Sequence, residues 1–167
     1  MRRPTATARL DCPLGMISVV ADDVHLLGVR ISRDGAPAST RNAVENPILD
    51  LALLQLSQWF AGQRTVFDLP LAPQGTAEGE VLRAGIAAIP YGETLTYGAL
   101  AAQTGSAARA VGQACKTNPY PLIIPCHRVV STAGPEYYSA GDGPRTKTWL
   151  LDFEYAHLPP EKRTRLI

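Results

Sequence analysis

The stretch from residue 76 to residue 118 most constrains the fold, because turn-forming residues divide it into helical segments. The pattern predicts a helix over 76–88 that ends before Pro90. A second helix is predicted over 97–103, with the Thr96 side chain as its N-cap. This alternation of short helices and turns favours a helical second half.

A third helix is predicted over 107–117, with Gly105 ending the preceding helix, Ser106 as the N-cap and Asn118 beyond the last turn. Two short helices joined by a Thr-Gly-Ser turn match the outline of a helix-turn-helix. Many other helical hairpins have the same outline, so the pattern needs support from chemistry.

The first half of the chain has a different pattern. Residues 10–32 contain apolar, β-branched runs separated by a hairpin-like turn at 21–23, which predicts short strands. Helical spacing predicts a helix over 47–60, and a short strand interrupted by a proline is expected over 65–71. Residues 72–76 are the best linker candidate.

Composition excludes several classes of protein. Hydrophobic residues make up 46% of the chain and charged residues 19%, which is typical of a folded globular protein. No apolar run approaches the roughly 20 residues of a membrane helix, so no membrane partner is expected. No apolar run follows the N-terminal arginines, so we expect no signal peptide and a cytoplasmic location, at the nucleoid in a bacterium or in the nucleus of a eukaryote.

The distribution of charge is more informative than the net charge of +1. No Asp or Glu lies between Glu93 and Glu136, and the same window carries Arg109, Lys116 and Arg128. Such a window can approach phosphates without repulsion. The alternative is a buried, alanine-rich packing unit that simply lacks charge.

The densest chemical signal is the run Cys126-His127-Arg128. A thiolate is the nucleophilic form of cysteine, and neighbouring positive charge lowers the pKa of a thiol. Most cysteines are buried packing residues, and we assign that role to Cys12 and Cys115. An isolated Cys-His pair would deserve the same interpretation.

The flanking motifs favour a nucleophile, because they closely resemble the active-site region of the O-alkylguanine-DNA alkyltransferases, also called methylated-DNA–protein-cysteine methyltransferases. The matching pieces are IPYGET (89–94), Tyr97, ARAVG (108–112), NP (118–119) and IPCHRV (124–129). The resemblance covers nearly the whole chain and is strongest over 89–130. It implies an α/β (α+β) fold, with a small antiparallel, ribonuclease-H-like domain over 1–72 and a helical, winged-helix-like domain over 76–167.

The resemblance also implies a reaction. An alkyl group would pass from the 6-oxygen of guanine in DNA irreversibly to Cys126, so each molecule would act once and need no cofactor. His127 would act as a base through a water molecule, and Glu154 would orient His127. Neighbouring side chains on an extended segment point in opposite directions, which favours a water bridge over direct contact between Cys126 and His127.

The implied partner is double-stranded DNA carrying alkylated guanine, bound through its minor groove with the target base flipped out. Arg109 would fill the vacated place, and small Ala107, Ala108 and Ala110 would permit close approach. Tyr97 would turn the 3′ phosphate of the target nucleotide. Arg109 could instead be a solvated cation, and Tyr97 a core aromatic.

Further roles follow from the same resemblance. Tyr138, Ser139 and Val129 would line the substrate pocket. Asn118 would join the helix-turn-helix to the active-site segment through side-chain hydrogen bonds. Arg128 could contact phosphate or brace the protein, and its several donors favour bracing.

Two segments depart from the family pattern. The loop over 138–144 is about two residues longer than usual, and Glu78, Gly79 and Arg83 stand where the helix at 76–89 normally has aromatic and amide residues. These differences affect the substrate preference more than the thiol chemistry.

No metal is expected, because Cys12 and His25 are the only ligand candidates in the part where some relatives bind zinc. A monomer is expected, because one thiol handles one lesion. Three rival functions remain open. They are a noncatalytic binder of alkylated guanine that flags lesions for other repair factors, a thiol hydrolase, and a helix-turn-helix regulator. Cys126 disfavours the binder, no remote histidine indicates a hydrolase, and the third helix is weakly basic for a regulator.

Overall fold

The N-terminal part is a three-stranded antiparallel sheet in the order β1-β2-β3. A computed structural model describes residues 4–33, 45–132, 140–141 and 143–163. The strands are β1 (Ala6–Cys12), β2 (Gly15–Ala21) and β3 (Leu26–Ser32). Cys12 pairs with Gly15 across the β1–β2 turn, where Gly15 has a φ of +115° and a Cβ would lie 2.5 Å from the carbonyl oxygen of Ser32.

Helix α1 (Pro47–Phe60) covers one face of this sheet. The Asn46 side chain accepts hydrogen bonds from the main-chain N–H groups of Ile48 and Leu49, which fixes the start of the helix. Its buried face carries Leu49, Ala52, Gln55, Leu56 and Trp59. The sheet contributes Ile17, Val19 and other apolar residues to the same core.

The second part is mostly helical. It contains α2 (Ala77–Ala87), β4 (Leu95–Thr96), α3 (Tyr97–Thr104), α4 (Ala108–Lys116), β5 (Val129–Val130) and α5 (Pro144–Ala156). Strands β4 and β5 form a short parallel pair, with Leu95 opposite Val129. This pair places the start of α3 beside the segment that follows Cys126. A small antiparallel sheet followed by a helical part confirms the predicted fold class.

Tyr120 connects the two parts. Its buried hydroxyl donates to the carbonyl oxygen of Leu26 at 2.7 Å and accepts the main-chain N–H of Ala72 at 3.1 Å. The carbonyl oxygen of Pro119 also accepts the N–H of Val29 in β3 at 2.8 Å. The sheet is therefore bonded to the segment that leads toward Cys126.

The expected strand over 65–71 is wrong. Only Leu71 makes a bridge, with Leu26, and the rest of the segment is irregular. The Gln55 side chain donates to the carbonyl oxygen of Asp68 and accepts its N–H, both at 2.9 Å. A side chain therefore satisfies backbone groups that a neighbouring strand would otherwise satisfy.

Other differences concern the ends of elements. Ser106 is not the N-cap of α4, because Ala107 occupies that position and no side chain caps the helix. Strand β1 begins at Ala6 rather than at residue 10, and α5 begins at Pro144. Among the described residues, no helix has the length and apolar character needed to cross a membrane.

Candidate active site

Cys126 opens a single turn of 3-10 helix, Cys126–Arg128. The preceding apolar run, Leu122 to Ile124, is buried, and Leu122 has the left-handed φ of +76° that turns the chain there. The expectation of an extended segment at Cys126 is therefore wrong, and so is the alternation argument built on it. Cys126 is 4% exposed, so its sulfur lies just below the surface.

Asn118 holds this turn against the end of α4. Its Nδ2 donates to the carbonyl oxygen of Ile124 at 2.9 Å and to the Sγ of Cys126 at 3.3 Å. Its Oδ1 accepts the main-chain N–H of Tyr120 at 3.0 Å. The side chain thus joins the helical pair to the segment carrying the thiol.

His127 and Glu154 form a buried pair. The Nε2 of His127 lies 2.6 Å from Oε2 of Glu154, and neither side chain is exposed. The carboxylate accepts, so Nε2 carries the proton and Nδ1 keeps its lone pair. Nδ1 is buried and has no hydrogen-bond partner among the described residues. Burial lowers the pKa of His127 despite the attraction of Glu154, so the imidazole is neutral near pH 7.

Arg128 neutralises the same carboxylate. Its Nε and Nη2 donate to Glu154 at 2.9 Å each, and its Nη1 donates to the carbonyl oxygen of Ile89 at 2.7 Å. The Oε1 of Glu154 also accepts the N–H of Gly92 at 3.0 Å. Burial alone would raise the pKa of the Glu154 carboxyl, but the hydrogen bond from His127 and the hydrogen bonds and positive charge of Arg128 lower it to about 2. Arg128 is buried among protein acceptors, which are the contacts expected of a bracing residue.

Lys147 places a buried positive charge near the active-site thiol. Its side chain is buried, its Nζ donates to the carbonyl oxygen of Val129 at 2.6 Å, and it lies 5.8 Å from the centre of the Tyr97 ring. Burial raises the pKa of the Cys126 thiol, while the Asn118 hydrogen bond and the Lys147 charge act in the opposite direction.

The expectation that the neighbours of Cys126 would lower the pKa of its thiol is therefore wrong for the free protein. His127 is neutral, the charge of Arg128 is matched by Glu154, and burial dominates. The thiol is protonated at rest, so the chemistry requires a group that takes its proton.

The alanines and the arginine proposed to bind DNA lie at the start of α4, whereas Tyr97 is the first residue of α3. Ala107, Ala108 and Arg109 are exposed and Ala110 is half-buried, whereas Val111 faces the core. Small side chains and one long cation therefore share an open surface. Helix α4 ends two residues before Asn118, which connects this surface to Cys126.

The structure describes only part of the predicted substrate pocket. Val129 is fully buried, and its carbonyl oxygen is held by Lys147. Tyr138 and Ser139 lie outside the described residues. Gly141 has a φ of +56°, and a Cβ there would lie 2.6 Å from the Oγ1 of Thr146, so the altered loop packs closely against α5 at this point.

Sequence reasoning missed the contacts of Gly92, Ile89 and Lys147. The signal for Lys147 was available, because Lys147, Leu150 and Glu154 are spaced to share one helix face. Charged residues on the same face as a buried leucine indicate an interior polar network. Among the residues that the structure describes, no cluster of His, Cys, Asp or Glu could hold a metal ion.

Comparisons with known proteins agree with this architecture. The family model described as "6-O-methylguanine DNA methyltransferase, ribonuclease-like domain" matches residues 7–73. The model described as "6-O-methylguanine DNA methyltransferase, DNA binding domain" matches residues 78–156. The chain belongs to the 6-O-methylguanine DNA methyltransferase family.

Individual relatives match along most of their length. The methylated-DNA–protein-cysteine methyltransferase of Mycolicibacterium paratuberculosis is 36% identical, with 90% of this chain and 92% of the relative covered. The constitutive enzyme of that name from Bacillus subtilis is 34% identical, with 86% and 92% covered. The structure of Mycobacterium tuberculosis OGT in complex with DNA matches with a TM-score of 0.76 and 33% identity, over 92% of this chain and 94% of that one.

Proposed function

We propose that Cys126 is the acceptor through which this chain repairs alkylated DNA. The chain is a methylated-DNA–protein-cysteine methyltransferase: it takes the alkyl group from 6-O-alkylguanine onto its own cysteine, once per molecule. The assignment of Cys126 rests on the 3-10 turn that this residue opens. In that turn the thiol is followed by a neutral His127, which Glu154 holds through a contact of 2.6 Å. This order matches the nucleophile, base and orienting group of thiol enzymes.

The reaction begins with the thiol proton. His127 accepts it at Nδ1 through a water molecule, because Nε2–H is committed to Glu154. The resulting imidazolium is stabilised by the buried carboxylate. The Asn118 N–H and the Lys147 charge stabilise the negative charge that develops on sulfur.

The thiolate of Cys126 then attacks the alkyl carbon. A sulfur–carbon bond forms while the bond from that carbon to the 6-oxygen breaks, and guanine leaves with the bonding electrons. The proton held by His127 returns to the guanine anion. The thioether cannot be hydrolysed under these conditions, so the acceptor is consumed.

DNA is the partner, and we assign the exposed start of α4 to its minor groove. The groove is only about 6 Å wide, so a surface of alanines with one arginine fits it. Arg109 fills the place of the flipped base, and Tyr97 turns its 3′ phosphate. The protein acts as a monomer, with the sheet in a domain over 1–72 and the site in a domain over 76–167.

Mass spectrometry of the acceptor peptide tests this proposal. Trypsin cleaves after Lys116 and Arg128, so Cys126 falls in the peptide 117–128, separate from the other cysteines. After incubation with an oligonucleotide containing 6-O-methylguanine, this peptide should gain one methyl group, and Cys126→Ala should gain none. An unmodified protein that still binds the lesion tightly would instead support the noncatalytic binder, for which the comparisons give no support.

A further inference from the structure

Tyr91 contacts the buried ion pair of Arg128 and Glu154 from a turn that also bonds to both partners. The carbonyl oxygen of Ile89 accepts a hydrogen bond from Arg128, and the N–H of Gly92 donates to Glu154. Between them, the Tyr91 ring lies against the guanidinium, with 5.5 Å from the Cζ of Arg128 to the ring centre. A cation at this distance from an aromatic face is attracted to the ring. The mechanism above assigns no role to this contact.

The position of the Tyr91 ring is set by the turn that carries it. Gly92 has a φ of +79°, which favours glycine, and a Cβ there would lie 2.5 Å from Cδ2 of Leu158. The backbone next to the ring is therefore closely packed and has one accessible arrangement.

Helix α1 supports the ring from the N-terminal part of the chain. The fully buried Trp59 meets Tyr91 edge to face, with 6.3 Å between ring centres and an interplanar angle of 71°. The same indole stacks on Phe153 at 4.7 Å, and Phe153 precedes Glu154 in α5. One side chain of α1 therefore packs against both the ring and the helical turn that carries the carboxylate.

The ring also lies where water could approach the ion pair. A cavity of about 350 Å³ separates the segment over 65–71 from the active-site turn, and its described lining includes Tyr91 and Arg128 but not Glu154. Glu154 is fully buried, and Arg128 is 6% exposed. The ring and the guanidinium thus lie at the boundary between this cavity and the carboxylate. Attraction between charges weakens where water enters, so a cover at this boundary strengthens the pair.

We infer that Tyr91 is a positioning residue for the base. Its ring fixes the guanidinium of Arg128 and shields the ion pair with Glu154, and the carboxylate in turn holds the imidazole of His127. The effect on the reaction rests on the proposed function, because a positioned base matters only if the thiol of Cys126 reacts.

The ring of Tyr91, and not its hydroxyl, has this role. The hydroxyl makes no hydrogen bond with the described residues. Burial, followed by the charge of Glu154, raises the pKa of Tyr91 to about 12, so the phenol is neutral near pH 7. A phenylalanine should therefore replace Tyr91, and an aliphatic residue should not.

Single-turnover transfer from duplex DNA containing 6-O-methylguanine separates positioning from folding and from DNA binding. Unfolded protein lowers the amplitude, weaker binding raises the DNA concentration at half-maximal rate, and a displaced base lowers the maximal rate constant. Tyr91→Leu should lower the maximal rate constant roughly tenfold, with the half-saturating DNA concentration unchanged to within about twofold. Tyr91→Phe keeps the ring and should retain the wild-type rate constant to within about twofold.

Phe60→Leu is the matched control. Phe60 is a half-buried aromatic residue that contacts Trp59 and Phe153 but does not lie over Arg128. Its replacement should leave the maximal rate constant unchanged. If Tyr91→Leu folds poorly, Tyr91→Met offers an unbranched apolar side chain for the same comparison. A wild-type rate constant without the ring, or an equal loss in Phe60→Leu, would overturn the inference.

Proton NMR tests the positioning without any alkyl transfer. The Nε2 proton of His127, held 2.6 Å from Glu154, should give a downfield signal that Glu154→Gln removes. Exchange of this proton with water should be roughly tenfold faster in Tyr91→Leu and unchanged in Tyr91→Phe and Phe60→Leu. Equal exchange in the wild type and Tyr91→Leu would also refute the positioning role. A wild type that shows the expected exchange but accepts no methyl group would count against the proposed function alone.

Discussion

Glu154 holds the imidazole of His127 through a contact of 2.6 Å between Oε2 and Nε2, with both side chains fully buried. We therefore expect Glu154→Gln to slow alkyl transfer by roughly a hundredfold or more, because general-base catalysis contributes factors of this size. The glutamine amide would direct N–H donors toward Nε2–H of His127 and the guanidinium of Arg128, which are themselves donors. Single-turnover kinetics on methylated oligonucleotide measure the effect.

The control for this change is Asp152→Asn, an exposed position on the same helix. It should transfer at the wild-type rate. The pH profile of the rate distinguishes positioning from stability, because Glu154→Gln should alter the ionisation of His127 as well as the rate. A wild-type rate and pH profile in Glu154→Gln would exclude the orienting role.

Stability should fall as the pH is lowered. The pKa of Glu154 in the fold is about 2, below its ordinary value of 4.5, so its contribution is complete above pH 4.5 and disappears as the pH falls toward 2. This shift corresponds to about 3 kcal/mol. The pKa of His127 is also lowered, so the unfolded chain binds a proton more readily below pH 6.5, which destabilises the fold in the same direction.

Urea denaturation from neutral pH down to about pH 2.5 measures this dependence, because the contribution of Glu154 is lost below pH 4.5. The free energy of unfolding of the wild type should decrease steadily over that range. Glu154→Gln should be less stable at neutral pH and should lose less on acidification. A wild type that becomes more stable in acid would contradict both assignments.

The helix boundaries show what local sequence determines. Thr96 caps α3 as predicted, because a side-chain cap depends on a few neighbouring residues. Thr76, which the pattern placed inside the helix over 76–88, is instead the N-cap of α2. Ser106 failed as a cap because its N–H bonds to the carbonyl oxygen of Ala101 and completes the end of α3. Two adjacent helices compete for the residues of a short turn, and local preference does not decide between them.

The active site shows the same limit at longer range. The run from Cys126 to Arg128 identified the chemistry, and resemblance supplied Glu154. Local sequence did not reveal that Arg128 and His127 share this carboxylate, or that burial would keep the thiol protonated. These properties depend on contacts between segments far apart in sequence, and on how much water the fold excludes.

Lys147 should control the ionisation of Cys126. Removing its charge with Lys147→Met should move the pH dependence of Cys126 alkylation by iodoacetamide to higher pH, because the buried ammonium stabilises the thiolate. Lys116→Met removes an exposed charge at the end of α4 and should leave that dependence unchanged. An unchanged profile in a folded Lys147→Met protein would show that the charge does not act on the sulfur.

Tyr120→Phe should weaken the connection between the two parts of the chain. The change removes a buried hydroxyl that bonds both Leu26 and Ala72, and we expect a loss of roughly 1–3 kcal/mol in the free energy of unfolding. Tyr91→Phe is the matched control, because the Tyr91 hydroxyl makes no hydrogen bond with the described residues. Equal effects of the two changes in urea denaturation would refute this account.

Arg109→Ala should slow transfer from duplex DNA far more than transfer from free 6-O-alkylguanine, because only the duplex requires a base to be flipped and its place filled. Lys116→Ala, exposed on the same helix, is the control. Lys116 is not among the residues placed at the flipped nucleotide, so the ratio of the two rates should be unchanged in this variant. The measurement compares single-turnover rates on the two substrates at saturating protein. Equal slowing on both substrates would mean that Arg109 acts on the chemical step or on folding, and not on the flipped nucleotide.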